Sequence, residues 1–173
     1  MKILVFSDSH GSVFNMQKAV NMHPDAQFIL HLGDGIADLN RLRSDVKYSI
    51  YCVNGNFEDL SSLSKKSDNS RCIEICGKII YMCHGHKERV GLGLNNLILS
   101  SIENNADIAL YGHTHVKFNK YFPIGQLPFE YNKGLYVFNP GSISLPRDDL
   151  YSSYGIIDIQ GSDILLSHGI INK

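Results

Sequence analysis

The sequence predicts an α/β fold, a four-layer α-β-β-α sandwich in which helices flank two mixed β-sheets. Its opening alternates short aliphatic runs with segments of helical periodicity, and this β-α-β-α-β order gives parallel strands with right-handed crossovers. Later strands follow one another with few helical patterns between them, which predicts a second, mixed or antiparallel sheet. A length of 173 residues suits one domain, so a single domain over 1–173 is expected.

The first half is assigned from its periodicity. Ile3–Ser7 is a continuous aliphatic run, which is typical of a buried parallel strand. Ser12 is expected to cap a helix that ends near Asn21, because Pro24 disfavours its continuation. The elements that follow are a strand over Phe28–Leu32, a short helix with Ile36, Leu39 and Leu42 on its apolar face, and a strand over Tyr48–Val53.

The second half is predicted to contain a hairpin, a helix and further strands. The serine- and lysine-rich segment 60–69 is expected to be a solvated loop or a short irregular helix. A two-residue turn at Gly77-Lys78 would then form a hairpin and place Cys72 opposite Cys83. The remaining elements are a helix with Leu94, Leu97, Ile98 and Ile102 on one face, ending at Asn104-Asn105, and strands over 108–111, Val116–Phe122, Leu135–Asn139, Ser153–Ile159 and Ile164–Ile171.

Composition excludes several classes of protein. A net charge of -1, from 16 basic and 17 acidic residues, gives no bulk attraction to nucleic acid or to an anionic membrane. No apolar segment approaches the roughly 20 residues of a transmembrane helix, and the apolar run at the N-terminus is too short for a signal peptide. We therefore expect a soluble cytoplasmic protein whose four cysteines are buried free thiols, with a Cys72–Cys83 disulfide as the alternative.

Polar motifs follow five of the predicted strands. They are Asp8-Ser9-His10, Gly33-Asp34, Gly55-Asn56, His84-Gly85-His86 and Gly112-His113-Thr114-His115. One such histidine pair is as often packed or on the surface as it is a ligand. Repetition favours a metal site, because the carboxyl ends of parallel strands meet at the edge of the sheet where ligands bind.

The motifs supply two carboxylates, one amide and four imidazoles, ligands that suit Mn, Fe, Ni or Zn. Two metals about 3.5–4 Å apart, bridged by one carboxylate, would use all seven, whereas a structural zinc site is usually closed by four. Two divalent cations, two carboxylates and a bridging hydroxide leave a charge of about +1, which suits a phosphodiester anion. The predicted nucleophile is therefore a hydroxide that bridges two metals. A structural metal site in a binding module is the weaker alternative.

The five ordered motifs resemble those of the calcineurin-like metallophosphoesterases. The compact length and the segment 139–147, Asn-Pro-Gly-Ser-Ile-Ser-Leu-Pro-Arg, make the chain similar to the small YfcE-type phosphodiesterase branch, which also includes the metallophosphoesterase-like subunit of retromer. The resemblance spans Met1 to about Ile159. It implies two divalent cations per chain, with manganese preferred over nickel, zinc, iron or magnesium. It also implies that Asp8, His10, Asp34 and His115 hold one cation and Asp34, Asn56, His84 and His113 the other, with Asp34 as the bridge.

The resemblance also suggests roles for residues around the metals. Asn56 is expected to contact the substrate phosphate as well as a metal, since its amide has both an acceptor and a donor. His86 either contacts phosphate as a catalytic residue or makes a structural hydrogen bond, and Arg147 either binds phosphate or pairs with a carboxylate. Phe57 stands where many phosphatases of the superfamily have a histidine that protonates the leaving oxygen, so esters with activated leaving groups are expected to be favoured.

The implied function is hydrolysis of a small phosphate ester by a metal-dependent phosphodiesterase, with no membrane or bulk nucleic-acid partner. Homo-oligomerisation, phosphomonoesterase activity and a catalytically silent scaffold like the retromer subunit are left open. Intact ligands argue against the scaffold, because their mutual repulsion and desolvation need metals to offset them. The apolar segment 121–131 is expected to pack on its own body, with capping of the pocket or contact with a second subunit as alternatives.

Overall fold

The computed structural model describes residues 1–42, 48–58, 68–127 and 131–172. The strands in these residues are β1 Lys2–Phe6, β2 Phe28–His31, β3 Ser49–Cys52, β4 Ser70–Ile75, β5 Lys78–Cys83, β6 Ile108–Leu110, β7 Lys117–Phe122, β8 Leu135–Pro140, β9 Ser152–Gln160 and β10 Asp163–Ile171. The helices are α1 Val13–Met22, α2 Ile36–Leu42 and α3 Asn95–Glu103. These elements agree with the predicted ones to within about two residues at each end. Most of segment 60–69 and residues 128–130 lie outside the described residues.

Two five-stranded sheets form the centre of the fold. The first has the strand order β10-β9-β1-β2-β3 and the second has β4-β5-β6-β8-β7. Strands β1, β2 and β3 run parallel, as do β5, β6 and β8, and antiparallel strands complete both sheets. The prediction of two mixed sheets is therefore confirmed. The expected membership is wrong for the last two strands, since β9 pairs with β1 and returns the chain to the first sheet.

Three apolar clusters define four layers. The inner faces of the two sheets pack on each other through residues such as Val5, Leu30, Met82, Leu110 and Phe138. The outer face of the first sheet packs on α1 and α2, and the outer face of the second packs on α3. The α-β-β-α sandwich is thus confirmed, with a buried layer between sheets about 10 Å apart.

The hairpin between β4 and β5 differs in register from the prediction. Ile75 pairs with Lys78, so the turn is Cys76-Gly77, and Cys72 lies opposite Tyr81 instead of Cys83. Both turn residues have positive φ, +52° and +71°, which is the geometry of a type I′ turn. The four cysteines are free, but the prediction that all are buried is wrong, because Cys72 and Cys76 are exposed.

Other local predictions have mixed outcomes. Ser12 occupies the position before α1, but its side chain makes no capping hydrogen bond. At the described ends of segment 121–131, Leu127 and Tyr131 are buried in the cluster around α3, and the Tyr131 hydroxyl donates to the carbonyl of Ala106. These two residues therefore pack on the body of the protein as predicted, whereas other described residues of the segment are exposed. In the described part of the chain, no helix has the length and hydropathy needed to cross a membrane.

Candidate metal centre

The five motifs meet where the carboxyl ends of β1, β2, β3, β5 and β6 converge. Backbone hydrogen bonds fix the loops to one another: Asp8 N–H donates to the carbonyl of Gly33 at 3.0 Å, and His10 N–H donates to that of Asp34 at 3.2 Å. Contacts also cross between the sheets, since the backbone N–H of His113 donates to Asp8 Oδ2 at 3.1 Å. The loops of both sheets therefore form one rigid rim.

The backbone at this rim is strained. Five non-glycine residues of the motifs have φ between +40° and +67°, a left-handed region that side chains other than glycine rarely adopt. All five belong to the predicted ligand set: Asp8, His10, Asp34, His113 and His115. Arg89, in the loop after His86, is left-handed as well. Strain of this kind costs of order 1–3 kcal/mol per residue and persists only where the surroundings enforce it. Its concentration on predicted ligand positions favours this edge as the functional one.

Two groups of ligand atoms lie close together. One oxygen or imidazole nitrogen from each of Asp8, His10 and His115 falls within 4.8 Å of the others, and the same holds for Asp8, Asp34 and His84. Both carboxylates are almost fully buried. Asp34 Oδ2 also lies 3.3 Å from His84 Nε2 and 4.0 Å from His10 Nε2, so it faces imidazoles of both groups.

His84 shows why this cluster suits a cation. Its Nδ1 lies 2.8 Å from the carbonyl of Leu32, an acceptor, so this nitrogen carries a proton. In the neutral ring Nε2 is then an acceptor, yet it faces Asn56 Oδ1 at 3.0 Å and Asp34 Oδ2 at 3.3 Å. Three acceptors this close repel unless a proton or a metal ion lies between them. Burial lowers the pKa of His84, but the Asp34 hydrogen bond and the Asp8 charge raise it above the ordinary value.

His115 repeats this arrangement on the other side. Its Nδ1 donates to the carbonyl of Leu145 at 2.6 Å, which leaves Nε2 directed at Asp8 Oδ1, 3.2 Å away. The hydrogen bond to Asp8 raises the pKa of His115 despite partial burial. A metal-binding histidine usually donates its Nδ1 proton to a carbonyl or carboxylate, because this hydrogen bond orients Nε2 and raises its basicity.

The two carboxylates are held in their ionised form. Burial alone would raise the pKa of Asp8, but hydrogen bonds from His115 and Ser7 and the charge of His84 bring it below the usual range. For Asp34 burial is likewise outweighed, by His84 and by the backbone N–H of Phe57, which donates to Oδ1 at 2.8 Å. Asp8 Oδ1 is buried, and His115 Nε2 can donate to it only when that ring is protonated. An ionised buried oxygen that lacks a permanent donor is the position a cation would neutralise.

The other predicted site residues lie around this centre. The His113 ring centroid is 5.2 Å from that of His84, and the His86 centroid is 5.5 Å from His84. Burial and the charge of His84 lower the pKa of both His86 and His113, which favours their neutral forms. Arg147 is joined to the site through its backbone N–H, which donates to the carbonyl of His115 at 3.0 Å. Its side chain is exposed, and none of the ion pairs between described residues includes it.

Residues of segment 139–147, which the sequence marked only as part of the family resemblance, support the candidate ligands. The hydroxyls of Ser142 and Ser144 each donate to the carbonyl of Asp8 at 2.8 Å. The amide of Asn139 donates to the carbonyl of Gly112 at 3.0 Å. The segment 139–147 therefore clamps two ligand loops at once. The sequence contained a signal, because polar residues follow the apolar β8 just as the ligand motifs follow their strands.

A glycine permits the closest approach of two motifs. A side chain at Gly55 would overlap Asp34, whose carboxylate and backbone occupy that space. Glu58 holds the same two loops together, since its carboxylate accepts hydrogen bonds from the backbone of Gly35, Ile36 and Gly55 at 3.1–3.4 Å. The donor set, the Nε2 directions and the buried Oδ1 of Asp8 together fit divalent metal ions.

Comparisons with known proteins agree with this chemistry. Residues 1–162 match the family model described as the calcineurin-like phosphoesterase superfamily domain. The probable metallophosphoesterase YsnB of Bacillus subtilis is 27% identical over 165 residues, covering 92% of this chain and 85% of that protein. The phosphodiesterase YfcE of Escherichia coli K12 is 25% identical over 179 residues, covering 91% and 88% respectively.

Solved structures show the same architecture. A predicted phosphoesterase from Streptococcus pneumoniae TIGR4 superposes with a TM-score of 0.72 at 26% identity, covering 96% of this chain and 87% of that one. Vps29 of Entamoeba histolytica in complex with Zn²⁺ gives a TM-score of 0.69 at 22% identity, covering 99% and 100%. With the family model matching nearly the whole length, this chain belongs to the calcineurin-like phosphoesterase superfamily.

Proposed function

We propose that this protein is a phosphodiesterase that hydrolyses a small phosphate ester with two divalent cations bound, manganese being the expected metal. The observation that carries the proposal is the convergence of two ionised, buried carboxylates with imidazoles whose Nε2 atoms point at them. When bound, two such cations lower the pKa of water enough to provide a bridging hydroxide nucleophile near neutral pH and polarise the phosphoryl oxygens.

The ligand assignment rests on which side chains lie close to one another. Asp34 is proposed as the bridge because its Oδ2 faces His10 on one side and His84 on the other. Asp8 and His115 belong with His10, while Asn56 and His113 belong with His84. The carbonyls of Leu32 and Leu145 keep the Nδ1 protons in place, so the Nε2 lone pairs stay directed at the cations.

Three side chains are proposed to hold the phosphate. Asn56 is exposed beside the carboxylates, so its amide can donate to a phosphoryl oxygen. His86 is half-buried with its ring centroid 5.5 Å from that of His84, which supports the proposal that its imidazole contacts the phosphate. Arg147 has an exposed guanidinium beside His115, and its charge acts on the pKa of that residue. Arginine without a carboxylate partner is well suited to bind a phosphate oxygen.

A diester is preferred to a monoester on grounds of charge. The proposed centre retains about one positive charge, which one phosphodiester anion neutralises. Phe57 cannot donate a proton to a departing oxygen, and loss of a general acid typically forfeits about 10²–10⁴-fold in rate. Esters whose leaving groups are acidic enough to depart unprotonated should therefore react fastest.

One experiment tests this function. The purified protein is stripped with a chelator, its metal content is measured after reloading with Mn, Ni, Mg or Zn, and a panel of phosphomonoesters and diesters is assayed. We expect two ions per chain and diester hydrolysis that requires them. A single bound ion would contradict the two-metal centre, and preferential monoester hydrolysis would contradict the diester assignment. A fully loaded protein that hydrolyses no ester would instead favour the silent scaffold.

A further inference from the structure

Phe57 is a large apolar residue on the rim of the centre. It is 75% exposed, so its ring faces solvent beside polar candidate ligands. Its backbone is held in place, because Phe57 N–H donates to Asp34 Oδ1 at 2.8 Å. The side chain therefore projects from a point next to the proposed bridging carboxylate.

A second exposed phenylalanine provides a contrast. Phe14 is 69% exposed on α1, but the ammonium of Lys18 lies 4.7 Å from its ring centroid and uses that aromatic face. The cation–π contacts found among the described residues do not include Phe57. Its one ring contact there is with the proposed ligand His10, at 6.3 Å between centroids and 65° between planes. Phe57 and His10 thus form two walls of a corner that faces solvent.

We propose that Phe57 is a stacking platform that selects phosphate esters carrying a planar aromatic substituent, either a nucleobase or another aryl group. This inference rests on the proposed phosphodiesterase function and adds its substrate class. A planar group could stack face to face but offset on the ring of Phe57 and present its edge to neighbouring side chains. Offset stacking and edge-to-face contacts are the arrangements that aromatic rings prefer. The proton that Phe57 cannot supply is least needed by aryl esters, so the binding preference and the chemistry favour the same substrates.

The chain offers a direct probe because it contains no tryptophan. Phe57→Trp keeps an aromatic face and introduces a single tryptophan, whose emission can be excited apart from that of the nine tyrosines, and Phe57→Leu keeps apolar bulk without a face. Phe14→Trp is the matched control on a similarly exposed phenylalanine outside the site. Each protein is loaded with Mn²⁺, and its affinities for phenylphosphonate and for cyclohexylphosphonate are measured by titration. The two compounds have the same anionic group and similar size but differ in planarity.

We expect the wild type and Phe57→Trp to bind phenylphosphonate roughly three- to tenfold more tightly than cyclohexylphosphonate, as stacking energies indicate. Phe57→Leu should lose this preference, and the fluorescence of Phe57→Trp, but not of Phe14→Trp, should change on binding. The same titration with AMP and with ribose 5-phosphate decides between sources: a preference for AMP indicates a nucleobase, and equal binding indicates another aryl group.

Retention of the phenyl preference in Phe57→Leu would overturn the platform, as would equal binding of the two phosphonates by the wild type. These binding measurements need no turnover, so the aromatic platform and the phosphodiesterase function can be refuted independently of each other. Preference for phenylphosphonate by a protein that hydrolyses no ester would overturn the phosphodiesterase and leave the aromatic subsite standing. Hydrolysis of diesters without any phenyl preference would do the reverse.

Discussion

The two edges of the sandwich are built from similar strands but differ in where their backbone adopts left-handed φ values. At the edge where the amino ends of β5 and β6 lie, the left-handed residues Cys76 and Asn105 occupy a hairpin turn and the end of α3, positions where such φ values are ordinary. At the opposite edge five left-handed residues are predicted ligands, and Arg89, in the loop after β5, is also left-handed. Strain is therefore concentrated on the proposed ligand loops.

The charges at the two edges differ in the same way. Asp107 at the amino edge accepts a hydrogen bond from Ile79 N–H at 2.7 Å and pairs with Lys133 at 3.0 Å, so the fold itself neutralises it. Among the described residues, Asp8 and Asp34 face histidines and N–H or O–H donors but no lysine or arginine, so without a bound cation only protonation of the neighbouring histidines can balance their charges. A fold tolerates such a cluster when a ligand completes it, and four paired comparisons test this difference.

The largest effect is expected from Asp34→Asn. Removing the proposed bridging charge leaves two cations facing each other at short range, so turnover should fall by about a thousandfold or more and metal content should drop. The matched control is Asp107→Asn at the other edge, which should leave both quantities unchanged. Metal analysis and kcat measure the two effects. Two ions per chain with undiminished turnover in Asp34→Asn would refute the bridge.

The second comparison uses two exposed asparagines. Asn56→Ala should reduce kcat by about a hundredfold, because it removes a proposed ligand and a phosphate donor. Its unfolding free energy should change by no more than about 0.5 kcal/mol, since the residue is exposed. Asn104→Ala, which removes one hydrogen bond to Ser100 at the end of α3, should spare turnover. Equal activity of Asn56→Ala and the wild type would remove Asn56 from the site.

The same contrast explains what could be foreseen from the sequence. The meeting of the predicted ligand loops was foreseeable because Gly33-Asp34 and Gly112-His113, for example, follow aliphatic runs, and parallel strands must end at a common edge. The pairing of β9 with β1 could not be foreseen, because an antiparallel neighbour can come from anywhere in the chain. The apolar pattern of 153–159 fits either sheet. The predicted pairing of Cys72 with Cys83 was wrong because a shift of the turn by one residue changes the register of the whole hairpin.

Supporting residues were also beyond the sequence. Ser142 matters because its hydroxyl reaches the carbonyl of Asp8, 134 positions away along the chain, and no local pattern encodes such a contact. The surroundings of Arg147 depend likewise on which carboxylates the folded chain brings near it. Local patterns thus predict which residue types reach the edge, whereas tertiary contacts decide how each is held.

A third comparison isolates that support. Ser142 and Ser153 are both fully buried, and each hydroxyl donates to a carbonyl at 2.8 Å, Ser142 to Asp8 and Ser153 to Pro140. Each change to alanine should cost about 1 kcal/mol of unfolding free energy in the metal-free protein. Only Ser142→Ala should also weaken metal binding, by roughly tenfold, because it loosens a ligand loop. Calorimetric titration with Mn²⁺ measures this difference, and equal affinities in the two variants would show that the clamp has no role in metal binding.

The smallest effect concerns two histidines that are outside the proposed ligand set and differ in burial. His31 at the end of β2 is fully buried, which lowers its pKa to about 4, whereas His23 after α1 is partly exposed. Unfolded His31 takes up a proton near pH 6.5 while the folded residue stays neutral, so its contribution to stability is present above that pH and is lost as the pH falls towards 4. His31→Asn keeps an acceptor for Gly33 N–H, which donates to His31 Nδ1 at 3.2 Å, and it cannot titrate.

From pH 7 to pH 6 the wild type should therefore lose about threefold in its folding equilibrium constant relative to His31→Asn, as measured by urea unfolding with chelator present. The matched His23→Asn pair should show a smaller change, because solvent still reaches that ring. A pH-independent difference between the wild type and His31→Asn would mean that folded His31 accepts a proton as readily as the unfolded chain.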